Sequence, residues 1–267
     1  MYIFEDDTIS ADNPKKLKNR KSIRDAFKDG KVFFKLFHDV VSPQCAISCG
    51  GPVGKITGET GTLGMFGKLR NNEASRPIEE IIVAISSGHV LETGADAFVP
   101  RIGKVGKCMW PVHAANNMFD VSVIKIDPHL INSMQRFILD EKVTLMQISH
   151  KDLENRRVFK FGATTGRTDG FVTTVDDFEL FGEKVLAIRP KRSTCSENKF
   201  SDEGDSGAIV LTRKDEQLHA VGVIYGDCFD VREFKNLHGN ESIAVFLLDA
   251  LHRFKTANQQ EILLDKI

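Results

Sequence analysis

The feature that most constrains the fold is a succession of short apolar runs separated by polar turns, many of which contain glycine. Runs this short, with frequent turn signals, predict the antiparallel strands of an all-β barrel or sandwich. A different pattern follows these runs. Apolar residues recur at helical spacing over 247–258 and predict a terminal helix that packs its apolar face against the β-structure. The runs lie at 62–66, 81–85, 121–126, 157–161, 171–175, 185–188, 208–211, 218–226 and 243–246.

Composition excludes several classes of protein. The 267 residues suffice for one large domain or two small ones. Lys and Arg total 36 against 37 Asp and Glu, so we expect neither nucleic acid nor a membrane surface as partner. No apolar segment approaches the roughly 18 residues that span a bilayer, and the acidic first residues lack the pattern of a secretory signal. Five cysteines without such a signal favour reduced thiols, so we expect an intracellular protein, in the cytoplasm or the nucleus.

Two other motifs have simpler interpretations. Cys45 and Cys49 have the spacing of a zinc half-site, but no matching pair follows, so we expect incidental thiols and no metal. The basic run at 15–21 is either a nuclear or anion-binding signal or the solvated face of a helix, and the helix face is favoured. We interpret residues 1–44 as an N-terminal helical extension.

The chemistry centres on residues 204–207, Gly-Asp-Ser-Gly, at the mouth of the apolar run 208–211. Flanking glycines let backbone amides turn toward a bound oxyanion. The alternative is a surface turn, since Gly, Asp and Ser dominate turns. A serine hydroxyl is a weak nucleophile unless a base takes its proton, so Ser206 needs a histidine and a carboxylate.

The chain offers both partners. His89 follows the buried run 81–85 and the small residues at 86–88, a setting that distinguishes it from the other seven histidines. Asp120 opens the alternating strand at 121–126, although an isolated Asp there is also a common turn residue. Asp96 is a rival, but it lies only seven residues after His89. The glycines at 162–170 predict a hairpin, because the phosphate-binding alternative lacks its Gly-Lys-Ser/Thr element.

In this order, His89, Asp120 and Ser206 resemble the trypsin/chymotrypsin-like serine peptidases over residues 50–256. The resemblance rests on 85–90 (Ile-Ser-Ser-Gly-His-Val), 120–124 (Asp-Val-Ser-Val-Ile), 204–207 and the strand 221–226. It implies an all-β chain of two six-stranded antiparallel Greek-key barrels with a C-terminal helix. The first barrel would span 45–135 with His89 and Asp120, and the second would span 136–267 with Ser206.

The family mechanism implies a serine endopeptidase with a polypeptide substrate and no cofactor. Ser206 would be the nucleophile, His89 the base and Asp120 the residue that orients the base, with the amides of Gly204 and Ser206 as the oxyanion hole. Counting back from Ser206 puts the base of the primary pocket at Phe200, which favours a non-basic substrate residue, although the acids at 202, 203 and 227 could restore a basic preference. The implied substrate-binding residues are Phe200, Ser201, Glu203, Tyr225, Gly226 and Asp227.

The sequence also departs from the secreted family. Its disulfides are not evident, and no segment would create an activating N-terminus, so Asp205 is predicted to lack its usual ion-pair partner. An enzyme that is formed constitutively, activated by a regulatory partner or embedded in a longer parent chain fits better. Two alternatives stay open: a catalytically silent domain that binds proteins or regulates them, and a domain that cleaves only its own polypeptide.

Overall fold

The computed structural model describes residues 47–56, 58–71, 81–110, 120–135, 141–147, 150–174, 179–180, 183–191, 199–227 and 240–264. Residues 45–267 form one compact unit. The predicted helical extension at 1–44 lies outside the described residues.

The first half of this unit consists of short strands joined by turns, with one 3₁₀ helix at Pro128–Ser133. Seven of these strands share a sheet in the order β4-β5-β8-β7-β6-β2-β3, and the other two, β1 and β9, pair in parallel with each other. The strands are β1 (Ile47–Ser48), β2 (Pro52–Gly54), β3 (Thr60–Thr62), β4 (Met65–Asn71), β5 (Ile81–Ser87), β6 (Asp96–Val99), β7 (Gly103–Trp110), β8 (Val121–Ile126) and β9 (Met134–Gln135).

The second half forms a closed barrel. Six strands follow one another around it in the order β11-β12-β14-β17-β16-β15, and β15 returns to β11. A second 3₁₀ helix, His150–Leu153, precedes β11. The strands are β10 (Val143–Leu145), β11 (Arg157–Gly162), β12 (Gly166–Thr174), β13 (Glu179–Leu180), β14 (Glu183–Pro190), β15 (Ile209–Lys214), β16 (Gln217–Asp227) and β17 (Ser242–Phe246).

The C-terminal segment joins the two halves. Helix α1 (Leu247–Asn258) buries Leu247, Ala250, Leu251 and Phe254, in agreement with the predicted helix and its apolar face. Phe254 packs edge-on against Trp110 of β7, with ring centroids 5.7 Å apart. Strand β18 (Gln260–Leu263) then pairs antiparallel with β4 and becomes an edge of the first sheet.

Three clusters of buried apolar residues make up the core. One lies within the first sheet, around Phe66 and Ile124. Another fills the second barrel, around Val172 and Phe200. The third combines residues of both sheets with α1, so the two halves share a continuous apolar interior.

The predicted all-β class, the second six-stranded barrel and the terminal helix are confirmed. The described strands of the first half form an open sheet rather than a closed ring, with β18 and β3 at its ends. The predicted strand at 62–66 is two strands, because the chain changes partner there: Leu63 N donates to the Gly51 carbonyl at 2.8 Å, whereas Gly64 N donates to the Ile85 carbonyl at 2.8 Å. Within the described part of the chain, no helix has the length and apolarity needed to cross a membrane.

One buried polar atom in the first sheet gives a stability prediction. Among the described residues, Ser122 Oγ is buried without a hydrogen-bond partner. Since an unsatisfied buried hydroxyl is destabilising, we expect Ser122→Ala to raise the free energy of unfolding by about 1 kcal/mol, measured by urea denaturation. A variant less stable than the wild-type protein would contradict this.

Candidate active site

His89 and Asp120 emerge at the same end of two neighbouring strands. Strand β5 ends at Ser87, and β8 begins at Val121 directly opposite it. His89 Nδ1 lies 2.6 Å from Asp120 Oδ2, and the His89 amide donates to Asp120 Oδ1 at 2.7 Å. The Gly88 amide donates to the Asp120 carbonyl at 2.8 Å, which fixes the two chain segments to each other.

The environment of this pair suits a proton acceptor held in one orientation. The Asp120 side chain is 9% exposed, whereas that of His89 is 37% exposed and therefore faces solvent on one side. Because an ionised carboxylate only accepts hydrogen bonds, this contact requires the proton of the neutral ring to be on Nδ1. The lone pair of the ring is then on Nε2, the nitrogen that a nucleophile's hydroxyl would need.

The segment that carries Ser206 packs directly against the end of β5. Thr62 N donates to the Ser206 carbonyl at 2.7 Å. An added Cβ at Gly207 would lie 2.6 Å from Ser86 Oγ and 2.8 Å from Ser87 N. Gly207 also has φ +96°, so this close approach and this backbone conformation both require glycine.

The Ser206 hydroxyl has a defined partner in this conformation. Its Oγ donates to the Tyr225 carbonyl at 2.9 Å. The ring of Tyr225 also packs edge-on against the His89 ring, with centroids 5.4 Å apart. Tyr225 therefore contacts both the predicted nucleophile and the predicted base, and a rotation about the Cα–Cβ bond of Ser206 redirects its hydroxyl.

Asp205 has an ion-pair partner within the chain, Lys160, which the sequence analysis did not find. Lys160 Nζ lies 2.8 Å from Asp205 Oδ2, and both side chains have no solvent exposure. Asp205 also accepts from Thr165 Oγ at 2.6 Å and from the amides of Thr164 at 2.9 Å and Asp202 at 3.1 Å. The cation that pairs with Asp205 is therefore a lysine of β11, and this ion pair holds the loop before Ser206.

The Lys160 ammonium also determines the charge of Asp205. Burial by itself would raise the pKa of the Asp205 carboxyl, but the charge and hydrogen bond of Lys160 outweigh it, with help from Thr165 Oγ and Thr164 N. The pKa of Asp205 is therefore held below its usual range.

Threonine hydroxyls hold the carbonyl groups of two successive peptide units, those of Glu203 and Gly204. Thr164 Oγ donates to the Glu203 carbonyl at 2.7 Å, and Thr62 Oγ donates to the Gly204 carbonyl at 2.9 Å. In a trans peptide the C=O and N–H groups point in opposite directions, so the Gly204 amide points away from Thr164. Gly204 has φ +90°, a conformation that the absence of a side chain permits.

The predicted substrate-binding residues fall into two groups. Phe200 and Ser201 are 0% and 1% exposed. Phe200 belongs to the core of the second barrel, and Ser201 Oγ donates to Ser242 Oγ at 2.7 Å. Neighbouring core residues therefore enclose both side chains in this conformation, and their contact with a substrate stays a prediction.

Three of the other predicted binding residues lie nearer to solvent. Glu203 is exposed, and Tyr225 and Gly226 are half-buried. Asp227 ends β16, opposite Ser242 of β17.

A cavity of about 810 Å³ opens beside Gly204. Three carboxylates border it, of which Asp202 is paired with Lys199 at 3.0 Å. Its lining residues are Gly58, Glu59, Thr60, Thr164, Asp202, Glu203 and Gly204. Because Gly204 belongs to this lining, the cavity adjoins the predicted oxyanion hole.

Other candidates from the sequence lie elsewhere. Asp96 pairs with Lys104 at 2.9 Å and does not replace Asp120. Burial raises the pKa of the Cys49 thiol to about 12 and that of Cys108 to about 11, so neither is a reactive thiolate near neutral pH. Cys45 lies outside the described residues, within which no group of His, Cys, Asp and Glu side chains is arranged to hold a metal ion.

The buried ion pair gives a stability prediction. We expect Lys160→Met to lower the free energy of unfolding by about 3–5 kcal/mol, because it leaves the Asp205 carboxylate buried without a cation. Lys160→Arg keeps the charge and is the control. The double variant Lys160→Met/Asp205→Asn removes both charges and should recover part of the loss in urea denaturation. Equal stability of Lys160→Met and the wild-type protein would contradict the structural role of the pair.

The same pair predicts a dependence of stability on pH. Because the pKa of Asp205 is lowered on folding, its contribution is complete above the unfolded-state pKa, about 4, and is lost as pH falls through the lower folded-state value. The free energy of unfolding of the wild-type protein should therefore fall more steeply below pH 4 than that of Asp205→Asn. Parallel curves from urea denaturation between pH 5 and pH 2 would contradict this.

Comparison with known proteins identifies the fold. Neither the family models nor the curated proteins compared with the sequence give a match. Among solved structures, a glutamic acid-specific serine protease described as utilizing a novel histidine triad in substrate binding is similar at TM-score 0.50 and 14% identity, over 78% of this chain and 97% of that one. Thermobifida fusca protease A is similar at TM-score 0.50 and 16% identity, over 82% and 99% of the two chains. Nocardiopsis protease gives TM-score 0.50 and 16% identity over 81% and 98%. The chain has the double β-barrel fold of the trypsin/chymotrypsin-like serine proteases.

Proposed function

We propose that this chain is a serine endopeptidase that hydrolyses peptide bonds of a polypeptide through an acyl-enzyme. The observation that carries the proposal is the joint position of three groups. The His89–Asp120 pair, with Nδ1 and Oδ2 2.6 Å apart, adjoins the segment of Ser206, and Tyr225 contacts both His89 and Ser206. A base, a residue that orients it and an adjacent hydroxyl are the requirements for an activated serine.

The first half-reaction forms the acyl-enzyme. Ser206 Oγ attacks the scissile carbonyl carbon while its proton passes to His89 Nε2, and the carbonyl oxygen becomes an oxyanion. Asp120 stabilises the imidazolium through Nδ1. The amides of Gly204 and Ser206 donate to the oxyanion, a contribution of about 3 kcal/mol per donor in related chemistry. The proton on Nε2 then goes to the leaving amine as its C–N bond breaks.

The second half-reaction restores the enzyme. Water gives a proton to His89 Nε2 and attacks the ester carbon, and collapse of the second tetrahedral intermediate breaks the bond to Ser206 Oγ. Oγ recovers the proton from Nε2, and the product leaves as a carboxylic acid. His89 therefore accepts and returns the proton in both half-reactions, so no second acid or base is needed.

A second candidate is a catalytically silent domain that binds proteins, and one observation favours it. The Ser206 hydroxyl donates to the Tyr225 carbonyl, so the attack requires this hydrogen bond to be exchanged for one to His89. Catalytic hydrogen bonds commonly tighten only when substrate is bound, and rotation about the Cα–Cβ bond of Ser206 releases its hydroxyl from the Tyr225 carbonyl. The peptidase is therefore the stronger proposal.

The type of substrate residue that this enzyme prefers in its primary pocket stays a prediction. Phe200, the residue assigned to the base of the primary pocket, packs within an apolar cluster of the second barrel, and this apolar environment supports the preference for a non-basic residue. The carboxylates of Asp202 and Glu203 lie beside Gly204 and border the neighbouring cavity instead.

A fluorophosphonate probe tests the proposal, because such reagents react only with an activated serine. We expect covalent labelling of the wild-type protein at Ser206, located by peptide mapping. Ser206→Ala and His89→Ala should lose it, and Asp120→Asn should slow it about 10⁴-fold, because the ring then takes the wrong tautomer.

Ser122→Ala is the matched control, since it removes a buried serine hydroxyl that lies outside the site, and it should label like the wild-type protein. A folded wild-type protein that neither labels nor cleaves peptides would reject the peptidase and favour the binding domain. Labelling accompanied by cleavage only within its own polypeptide would favour self-processing.

A further inference from the structure

A second hydroxyl lies at the centre of the site. We propose that Ser87 is a positioning residue, whose hydroxyl holds the Asp120 carboxylate in the orientation that receives His89 Nδ1. This inference rests on the proposed function, and it adds a residue to the site that motif matching leaves out.

Among the described residues, the hydrogen bonds of the Ser87 hydroxyl are all with His89 and Asp120. Its Oγ donates to Asp120 Oδ2 in a short hydrogen bond. The same oxygen lies 2.9 Å from His89 Nδ1 and 3.2 Å from the Asp120 carbonyl. Ser87 is completely buried, so water does not compete for its hydroxyl.

The two oxygens of the Asp120 carboxylate accept hydrogen bonds from different donors. Oδ1 accepts from the amide of His89, whereas Oδ2 accepts from the Ser87 hydroxyl and from the ring nitrogen of His89. With donors on both oxygens, rotation of the carboxylate about its Cβ–Cγ bond would break at least one hydrogen bond. Ser87 is the one of these donors that does not belong to His89.

The Ser87 hydroxyl and Tyr225 contact the pair from different strands. Tyr225 of β16 packs its ring against His89, and its carbonyl accepts from Ser206. Strand β5 instead places Ser87 two residues before His89 and opposite Val121, which follows Asp120 in the chain. The register of β5 and β8 therefore brings the hydroxyl to Asp120.

Without the Ser87 hydroxyl, the Asp120 carboxylate keeps, among the described residues, only the two donors of His89, so the carboxylate and the imidazole can reorient together. The substrate does not contact Ser87 in the proposed mechanism. A fall in kcat without a rise in KM is therefore expected, because the loss affects proton transfer in the transition state and not substrate binding.

The test compares Ser87→Ala with Ser87→Thr, which keeps the hydroxyl, and with Ser122→Ala, which removes a buried serine hydroxyl from the neighbouring strand. We expect Ser87→Ala to lower kcat and the rate of fluorophosphonate labelling about 10- to 100-fold with KM unchanged, the loss typical of a hydrogen bond to a charged group. Ser87→Thr should restore most of the rate, and Ser122→Ala should retain it. Wild-type rates in Ser87→Ala, or an equal loss in Ser122→Ala, would overturn the proposal.

A second readout needs no turnover. The His89 Nδ1 proton, assigned by its absence in His89→Ala, should give a far-downfield NMR resonance in the wild-type protein and in Ser122→Ala. In Ser87→Ala it should move upfield or be lost to exchange with water, while the folded spectrum is kept. An unchanged resonance rejects the role of Ser87 whether or not the enzyme turns over, whereas an unlabelled, inactive wild-type protein rejects the proposed function alone.

Discussion

The buried pair of Lys160 and Asp205 is the interaction on which the site depends. Two charges without solvent exposure are stable only with close contact and further hydrogen bonds, and Asp205 has both. Since Asp205 directly precedes Ser206, the pair fixes the loop that carries the nucleophile and the oxyanion amides. The cation belongs to β11, a strand of the second barrel, so the loop takes its shape as that barrel folds.

Thr62 connects this loop to the first sheet. Its amide donates to the Ser206 carbonyl and its hydroxyl to the Gly204 carbonyl, so it holds the chain on both sides of Asp205. Its own carbonyl accepts from Ser86 Oγ at 2.8 Å, on the strand that leads to His89. One buried residue of β3 thereby relates the predicted nucleophile in one barrel to the predicted base in the other.

Much of the fold and part of the site could be predicted because they depend on local patterns. Short apolar runs predicted strands that match β5, β8 and β11, and helical spacing gave α1 with the observed bounds. Strand β12 begins at Gly166, inside the segment that was predicted to be the hairpin turn. His89 and Asp120 were found because each adjoins a buried strand, and their contact follows from the pairing of β5 with β8. The pairing of β18 with β4 had no comparable signal, because strand order depends on contacts between distant segments.

The residues that support the site were missed for the same reason. Lys160 lies on the same strand face as the apolar Val158, which indicated a buried lysine. Nothing in the local sequence related it to Asp205, which lies 45 residues later. Phe200 was assigned by counting back from Ser206, and counting does not show that its side chain faces the core. The sequence by itself determined the strands, the helix and the residues capable of the chemistry, because these follow from side-chain periodicity and motif. Only the tertiary structure decided which charges are paired, which residues are enclosed and that Ser87 reaches Asp120, because those distances depend on how separate strands pack.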